Sequence, residues 1–336
     1  MSQNGLRFTL DVDSINIFSD YRLEENGITL FEPCFCITLF TNEKITQTHA
    51  PERLLTPYGN FFNKFGGKVN KILFDGNQKN GVKITNERKN TPYDWLANTK
   101  RRFKDNAVAD IYFGTANKLE RKLPRMRWYY DHATPEINQP ANSYYRILLS
   151  LNWLAEQSLQ DVEAFIREII GDFPLSFGYA GFALSFNDGE VLSRKDLEYY
   201  LGQWLERHPG IMSPDPSIES QWASKITGIT SIGWITFLGT EFTTQIGGHD
   251  ELKRKSALFP DIQVTPFIQQ GMMIRIGEAP ILGDTFHNNQ LDNYHAVGNV
   301  LSPLHKISER LKTDYLYVTG IKGKEAREKW FNRFFI

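Results

Sequence analysis

SIGWITFLGTEFTTQIGGHDELKRKSALFPDIQVTPFIQQGMMIRIGEAPILGD, residues 231–284, is the stretch around which the rest of the chain can be ordered. Ile232 to Leu238 is an apolar run rich in β-branched and aromatic residues and closed by Gly239, the pattern of a strand buried on both faces. Thr240 to Leu258 has helical periodicity, and Gly247-Gly248 predicts a break that makes two helices. Ile262 to Ile268 and Met272 to Ile276 alternate apolar and polar residues on either side of Gln269-Gln270-Gly271, which predicts a hairpin. The second strand of that hairpin stops at Gly277-Glu278-Ala279-Pro280. No lone feature in the stretch carries chemistry.

Upstream, Tyr144 to Leu154 reads as a strand. Ser158 caps a helix whose Val162, Phe165, Ile166, Ile169 and Ile170 share one face, and Gly171 ends it. Phe177 to Phe186 is a strand in which Gly178, Ala180, Gly181 and Ala183 permit close approach of another element. A further helix begins at Ser193 or Asp196, with Leu197, Tyr200, Leu201, Trp204 and Leu205 turned inward. Downstream, Tyr294, Val297, Val300, Leu301 and Leu304 form a helical stripe interrupted by Pro303 and continued by Ile307 and Leu311. Asp314 to Thr319 predicts a terminal strand and Lys324 to Phe335 a basic helix.

Before residue 144 the signals are sparser. Leu6 to Val12 and Leu30 to Phe40 read as strands, with Asn26-Gly27 as a hairpin turn between them and Pro33 marking an edge or a bulge. Leu54, Leu55, Tyr58, Phe61, Phe62 and Phe65 fall at helical spacing. From about 66 to 127 glycine, asparagine and lysine dominate, as in an insertion, with a hairpin around Asn80-Gly81, a short helix over Tyr93 to Phe103 and a strand over Asp110 to Phe113. These elements predict an α+β fold of mostly antiparallel sheet flanked by helices. Residues 1–143 and 144–336 divide as two α+β halves, open to reading as a pseudo-duplication or as one continuous unit.

The 336 residues with 41% hydrophobic content suffice for a full core. Lys+Arg 38 against Asp+Glu 39 leaves the chain near neutral, but residues 64–127 hold sixteen basic and six acidic residues, +10, which leaves −11 elsewhere. Cys34 and Cys36 are expected to turn to opposite faces of a strand and not to pair, which argues for a reducing compartment. The N-terminus lacks a basic start followed by an apolar core, and nowhere are there eighteen apolar residues in succession, so secretion and membrane insertion are not expected.

Candidate chemistry is thin. Asp284, His287, Asp292, His295 and His305, with His249 and Asp250, match no metal-ligand spacing, and polar loops account for them; no metal or cofactor is expected. His208-Pro209-Gly210 reads as a helix-ending turn. No nucleophile elbow, reactive-cysteine motif or phosphate loop is present, so no catalytic residue is assigned. Aromatics interleave the basic segment as in nucleic-acid binders, yet no recognition motif supports that reading over a solvated or partner-facing surface. Arg125, Arg127, Trp128, Tyr129 and Tyr130 combine the side chains that dominate protein interfaces and are the candidate partner-binding residues.

WITFLG at 234–239, Gly247-Gly248, GMMIRIGEAPILGD at 271–284, HPGI at 208–211 and FGYAGFALSF at 177–186 resemble the type VI secretion immunity family, TsiV-like. The resemblance runs from about Tyr144 to Ser302 and is weak before that. It implies a cytoplasmic, non-enzymatic protein that neutralises a cognate antibacterial effector through a stoichiometric complex. The alternatives are a nucleic-acid-binding protein using residues 64–127 and a metal-dependent hydrolase with dispersed site residues.

Overall fold

The computed structural model describes residues 18–26, 28–43, 49–69, 71–74, 82–83, 90, 92–94, 96–97, 107–115, 122–132, 143–186, 195–214, 227–288, 291–306, 321 and 323–335. Among these the strands are β1 (Leu23–Glu25), β2 (Ile28–Thr41), β3 (Lys71–Phe74), β4 (Val82–Lys83), β5 (Ala107–Thr115), β6 (Lys122–His132), β7 (Ser143–Ser150), β8 (Phe177–Phe186), β9 (Ile235–Leu238), β10 (Ile262–Pro266) and β11 (Met272–Ile276). The helices are α1 (Thr56–Phe65), α2 (Leu151–Ala155), α3 (Leu159–Ile170), α4 (Lys195–Arg207), α5 (Thr240–Gln245), α6 (Gly248–Ser256), α7 (Asp292–Leu301) and α8 (Lys324–Phe331). The class is α+β, as expected. The expected strands at 6–12 and 314–319 lie outside the described residues, as do the Asn80-Gly81 turn and most of Tyr93 to Phe103.

All the strands join one antiparallel sheet in the order β10-β11-β9-β8-β2-β7-β6-β5-β3-β4, with β1 on the end of β2. β2 therefore lies at the centre and is not the edge that Pro33 allowed, while its start does carry an irregular register against β1, between Leu23 and Glu24. Phe31 pairs with Phe186 on one side and Leu23 on the other, and pairing to β7 starts only at Cys34. Pro33 sits in the gap between β1 and β7, where its missing N–H costs no ladder bond. The strands outward from β2 run β8, β9, β11, β10, whereas those outward from β7 run β6, β5, β3, β4. The chain moves outward through one wing and inward through the other, so the sheet does not contain two halves repeated in the same order.

The register separates the two faces. Met126, Ile147, Ile37, Ala180, Ile235 and Arg275 are successive cross-strand partners and make one row from β6 to β11. Helices α1 and α3 cover this face. The Tyr145 hydroxyl donates to the Leu54 carbonyl at 2.8 Å, and Arg275 Nε meets Glu163 Oε1 at 2.8 Å. Amphipathic spacing puts Val162, Phe165, Ile166, Ile169 and Ile170 of α3 against the sheet. Ser158 and Asp161 cap that helix reciprocally, and Gly171 ends it at φ 52, a backbone angle that a side chain would strain.

The opposite row is Arg127, Arg146, Thr38, Tyr179, Thr236 and Ile274, and residues 211–214 lie over part of it. Arg146 Nη1 donates to the Ser213 carbonyl at 2.7 Å, and the Met212 N–H donates to the Phe182 carbonyl at 2.8 Å. Cys34 and Cys36 are buried and make no disulfide. They share a face, because positions two apart on a strand point the same way, and the expected opposite placement is wrong.

In the stretch that opened the reading, β9 starts at Ile235, later than the expected Ile232, but is buried along its whole length. Trp234, Phe237 and Leu238 are 0% exposed. The break between α5 and α6 falls at Gly247, φ 96, and β10 and β11 form the expected hairpin. The strand expected over Tyr144 to Leu154 ends at Ser150, whose hydroxyl accepts the Trp153 N–H at 3.1 Å and starts α2 instead. Gly239 is required by close approach, since a β-carbon there would sit 2.0 Å from the Leu175 carbonyl oxygen.

Candidate functional site

The five residues selected for partner binding all lie on β6, which is hydrogen-bonded on both sides, to β5 and β7. Alternation along a strand then divides them. Trp128 and Tyr130 point into the helix-covered core, each 1% exposed, with Trp128 stacked on Tyr145 at 5.8 Å and 8°. A partner could reach them only by parting α1 from the sheet, so these two are removed from the contact set. Arg125, Arg127 and Tyr129 occupy the other face and are half-buried. Tyr129 stacks on Tyr144 at 5.5 Å, and the Arg127 guanidinium lies 5.7 Å from the centroids of both rings. Three successive aromatics split between faces, and two go inward because Trp128 and Tyr130 share the side of β6 that the helices cover.

A second constellation gathers residues that the sequence left in separate loops. α4 ends at Arg207, and His208 N–H still donates to the Trp204 carbonyl at 2.8 Å. The Arg207 guanidinium forks onto Asp284, with Nη2 2.8 Å and Nε 3.3 Å from Oδ2. Asp284 also accepts the Phe286 N–H at 2.9 Å and meets His287 Nδ1 at 2.8 Å. Arg207, followed by His287 and the Phe286 amide, holds the Asp284 carboxyl well below the usual carboxylate range against the opposing effect of burial.

His208 is 1% exposed, with Nδ1 2.6 Å from the Gly283 carbonyl and Nε2 against the Tyr21 hydroxyl. A carbonyl can only accept, so Nδ1 carries the proton and Nε2 accepts from Tyr21. Burial pushes the His208 pKa below its ordinary value, which keeps the ring neutral. Tyr21 in turn stacks on Trp204 at 4.8 Å. Gly210 completes the joint. Its N–H donates to the Leu282 carbonyl at 2.8 Å, and a β-carbon would lie 2.1 Å from the Ile281 carbonyl oxygen. The HPGI and ILGD segments are thus two sides of one contact.

The polar groups of this joint are tied to one another, Asp284 to Arg207 and His208 to Gly283. Among the described residues no group of three His, Cys, Asp or Glu side chains is placed to hold a metal ion. His305, another candidate, lies flat on Phe335 at 3.6 Å with Nδ1 toward the Ile229 carbonyl at 3.1 Å. The face that the joint presents to solvent was missed. Tyr200, expected to turn inward, is 50% exposed, beside Tyr199 at 53%, and Phe286 on the turn is 78% exposed. Only the i, i+3, i+7 relation of Tyr200, Gln203 and Arg207 signalled a second stripe on α4. Among the described residues no helix is long and apolar enough to cross a membrane.

A continuous antiparallel sheet with α1 and α3 packed on one face defines an α+β scaffold. The chain belongs to the TsiV family, described as type VI immunity for VRR-NUC, whose model matches residues 78–334. It is a type VI secretion immunity protein. A solved structure, the Pseudomonas aeruginosa T6SS protein PA0821, has the same fold, with TM-score 0.72 at 14% identity over 98% of this chain and 91% of that one. A search of curated proteins finds no match.

Proposed function

We propose that this protein neutralises a VRR-NUC effector in the cytoplasm of the cell that makes it, by forming a one-to-one complex that covers the effector's active site. It does so without chemistry of its own. The observation that carries the reading is the family match over residues 78–334, which spans everything from β4 to the end of α8. The fold supports it in physical terms. A sheet that passes without interruption from β10 to β4 is a stiff platform, and a binder that is already ordered loses little conformational freedom on association. Arg125, Arg127 and Tyr129 are carried forward as partner contacts on the sheet face of β6. The test is co-expression with a VRR-NUC effector, sought in the gene beside this protein's own. Cells survive if the reading holds, and the purified pair elutes as a one-to-one complex. Cell death with this protein abundant and folded refutes it.

A further inference from the structure

We infer that the outward face of α4 together with the turn at residues 284–288 is an anchor point for the effector, an inference that rests on the proposed function and assigns it a surface. Three of the six exposed large hydrophobic side chains among the described residues lie on these two segments, Tyr199 and Tyr200 on α4 and Phe286 on the turn. Residues three, four and seven apart share one side of a helix, so Tyr200, Gln203 and Arg207 form a row of about 10 Å along α4. Phe286 extends the row, its ring 5.0 Å from the Arg207 guanidinium. Tyr199 lies alongside, its hydroxyl 2.8 Å from Gln203 Nε2 and its ring edge-on to Tyr200 at 6.1 Å.

Scattered surface aromatics need no explanation, but an aromatic and arginine cluster held in a fixed geometry does. Asp284 grips Arg207 by a fork and accepts the Phe286 amide, while the Thr285 N–H donates to the Arg207 carbonyl at 3.0 Å. The turn therefore presents Phe286 outward with its backbone already tied down. Residues of these types, rigid before contact, are the usual centres of binding energy in protein interfaces.

Charge selects the occupant. The face carries Arg207 against Asp284 and the exposed Glu206. One cation against two carboxylates repels a polyanion, so nucleic acid does not fit here. The chemistry that fits is a folded protein surface with an apolar recess for Phe286 and carbonyl acceptors for the tyrosine hydroxyls.

The experiment compares the full-length protein with its Tyr200→Ser/Phe286→Ser variant by titration calorimetry against the purified VRR-NUC effector, with Arg127→Ala in parallel. The double variant is expected to bind at least about 30-fold more weakly, as hot-spot truncations do, with an unchanged melting temperature. Should its melting temperature fall, Phe286→Asp alone, at a position 78% exposed, gives the same reading without touching α4. Effector binding by the wild type together with binding by these variants within twofold of it overturns the assignment and leaves the proposed function intact. Loss in Arg127→Ala alone moves the contact to β6 and also overturns it. A wild-type dimer abolished by the double variant, with effector affinity unchanged, makes the face a self-interface and refutes the inference. A wild type that does not bind the effector removes the proposed function and the inference together.

Discussion

Replacing Trp128 with alanine separates stability from binding, because its residue type suits a partner surface while its position on β6 is in the core. The side chain is 1% exposed and stacks on Tyr145, which itself is 0% exposed. A buried tryptophan removes on the order of 150–250 Å² from water, worth about 4–6 kcal/mol at ~25 cal/mol per Å². Alanine retains part of that, and large aromatic-to-alanine changes in cores cost about 3–5 kcal/mol. Loss of the offset stack on Tyr145 adds roughly 1 kcal/mol, which places the expected cost at about 4–6 kcal/mol. Against a total of about 5–15 kcal/mol, this is a large share of the protein's stability. Urea unfolding followed by far-ultraviolet circular dichroism measures it, with the slope expected to stay unchanged while the midpoint falls. Effector affinity, measured well below the transition, should change by less than about threefold, since no surface atom of consequence is removed. A loss under about 1 kcal/mol, or a loss of affinity with stability intact, would show that β6 is not the interior strand described above.

Gly210→Ala should cost about 1–3 kcal/mol by overpacking, because its new methyl would meet the Ile281 carbonyl, and thermal melting checks it. Removing the Glu163 carboxylate by Glu163→Ala should cost about 1–3 kcal/mol, less than for a fully buried pair since Glu163 is 27% exposed, while Glu163→Ala/Arg275→Met should recover part of that loss in a double-mutant cycle. Burial lowers the folded-state pKa of both His208 and His305 below 6.5, so the unfolded chain binds more protons once the pH drops under that value. Stability should therefore be full above pH 6.5 and decline as the pH falls through the folded values, with a second decline below 3.8 as the ion-paired Asp284 protonates. Denaturant midpoints at a series of pH values should show a shallower first decline in His208→Gln, and an unchanged slope would refute the assignment.

What could be read without coordinates was local. Period-two alternation placed β10 and β11, the glycine pair at 247–248 placed the break between α5 and α6, and Ser158 with Asp161 placed the start of α3. Each of these depends on residues within a few positions of one another, where backbone sterics and short-range hydrogen bonds decide the outcome. The misreadings concern relations across long stretches of chain. Pro33 lies in a central strand because β1 and β7 leave a gap opposite it, and no property of the segment 28–41 announces that gap. Whether the two halves repeat one another is hidden from local pattern for the same reason, since strand order is set by pairings between elements about 150 residues apart, such as Cys34 with Ala183.

The candidate site shows why composition alone misdirects a search for an interface. Trp128, Tyr129 and Tyr130 have the residue types of a hot spot, but those types are also the ones that yield most when buried in a core. Which outcome occurs depends on whether the strand that carries them has neighbours on both edges and a helix above, and β6 has all three. Tyr199, Tyr200 and Phe286 have the same composition and the opposite surroundings. α4 has one face against Tyr21, Phe31 and the sheet, and Arg207 on its other side meets the turn that Asp284 holds in place. The exposed row on α4 was readable as a second stripe at positions 200, 203 and 207, yet it was absorbed into the inward one because Tyr200 falls at helical spacing from Leu197 and Trp204. An aromatic residue that fits two stripes is assigned by packing. The 77-residue separation of Arg207 from Asp284 hid that packing from any local reading.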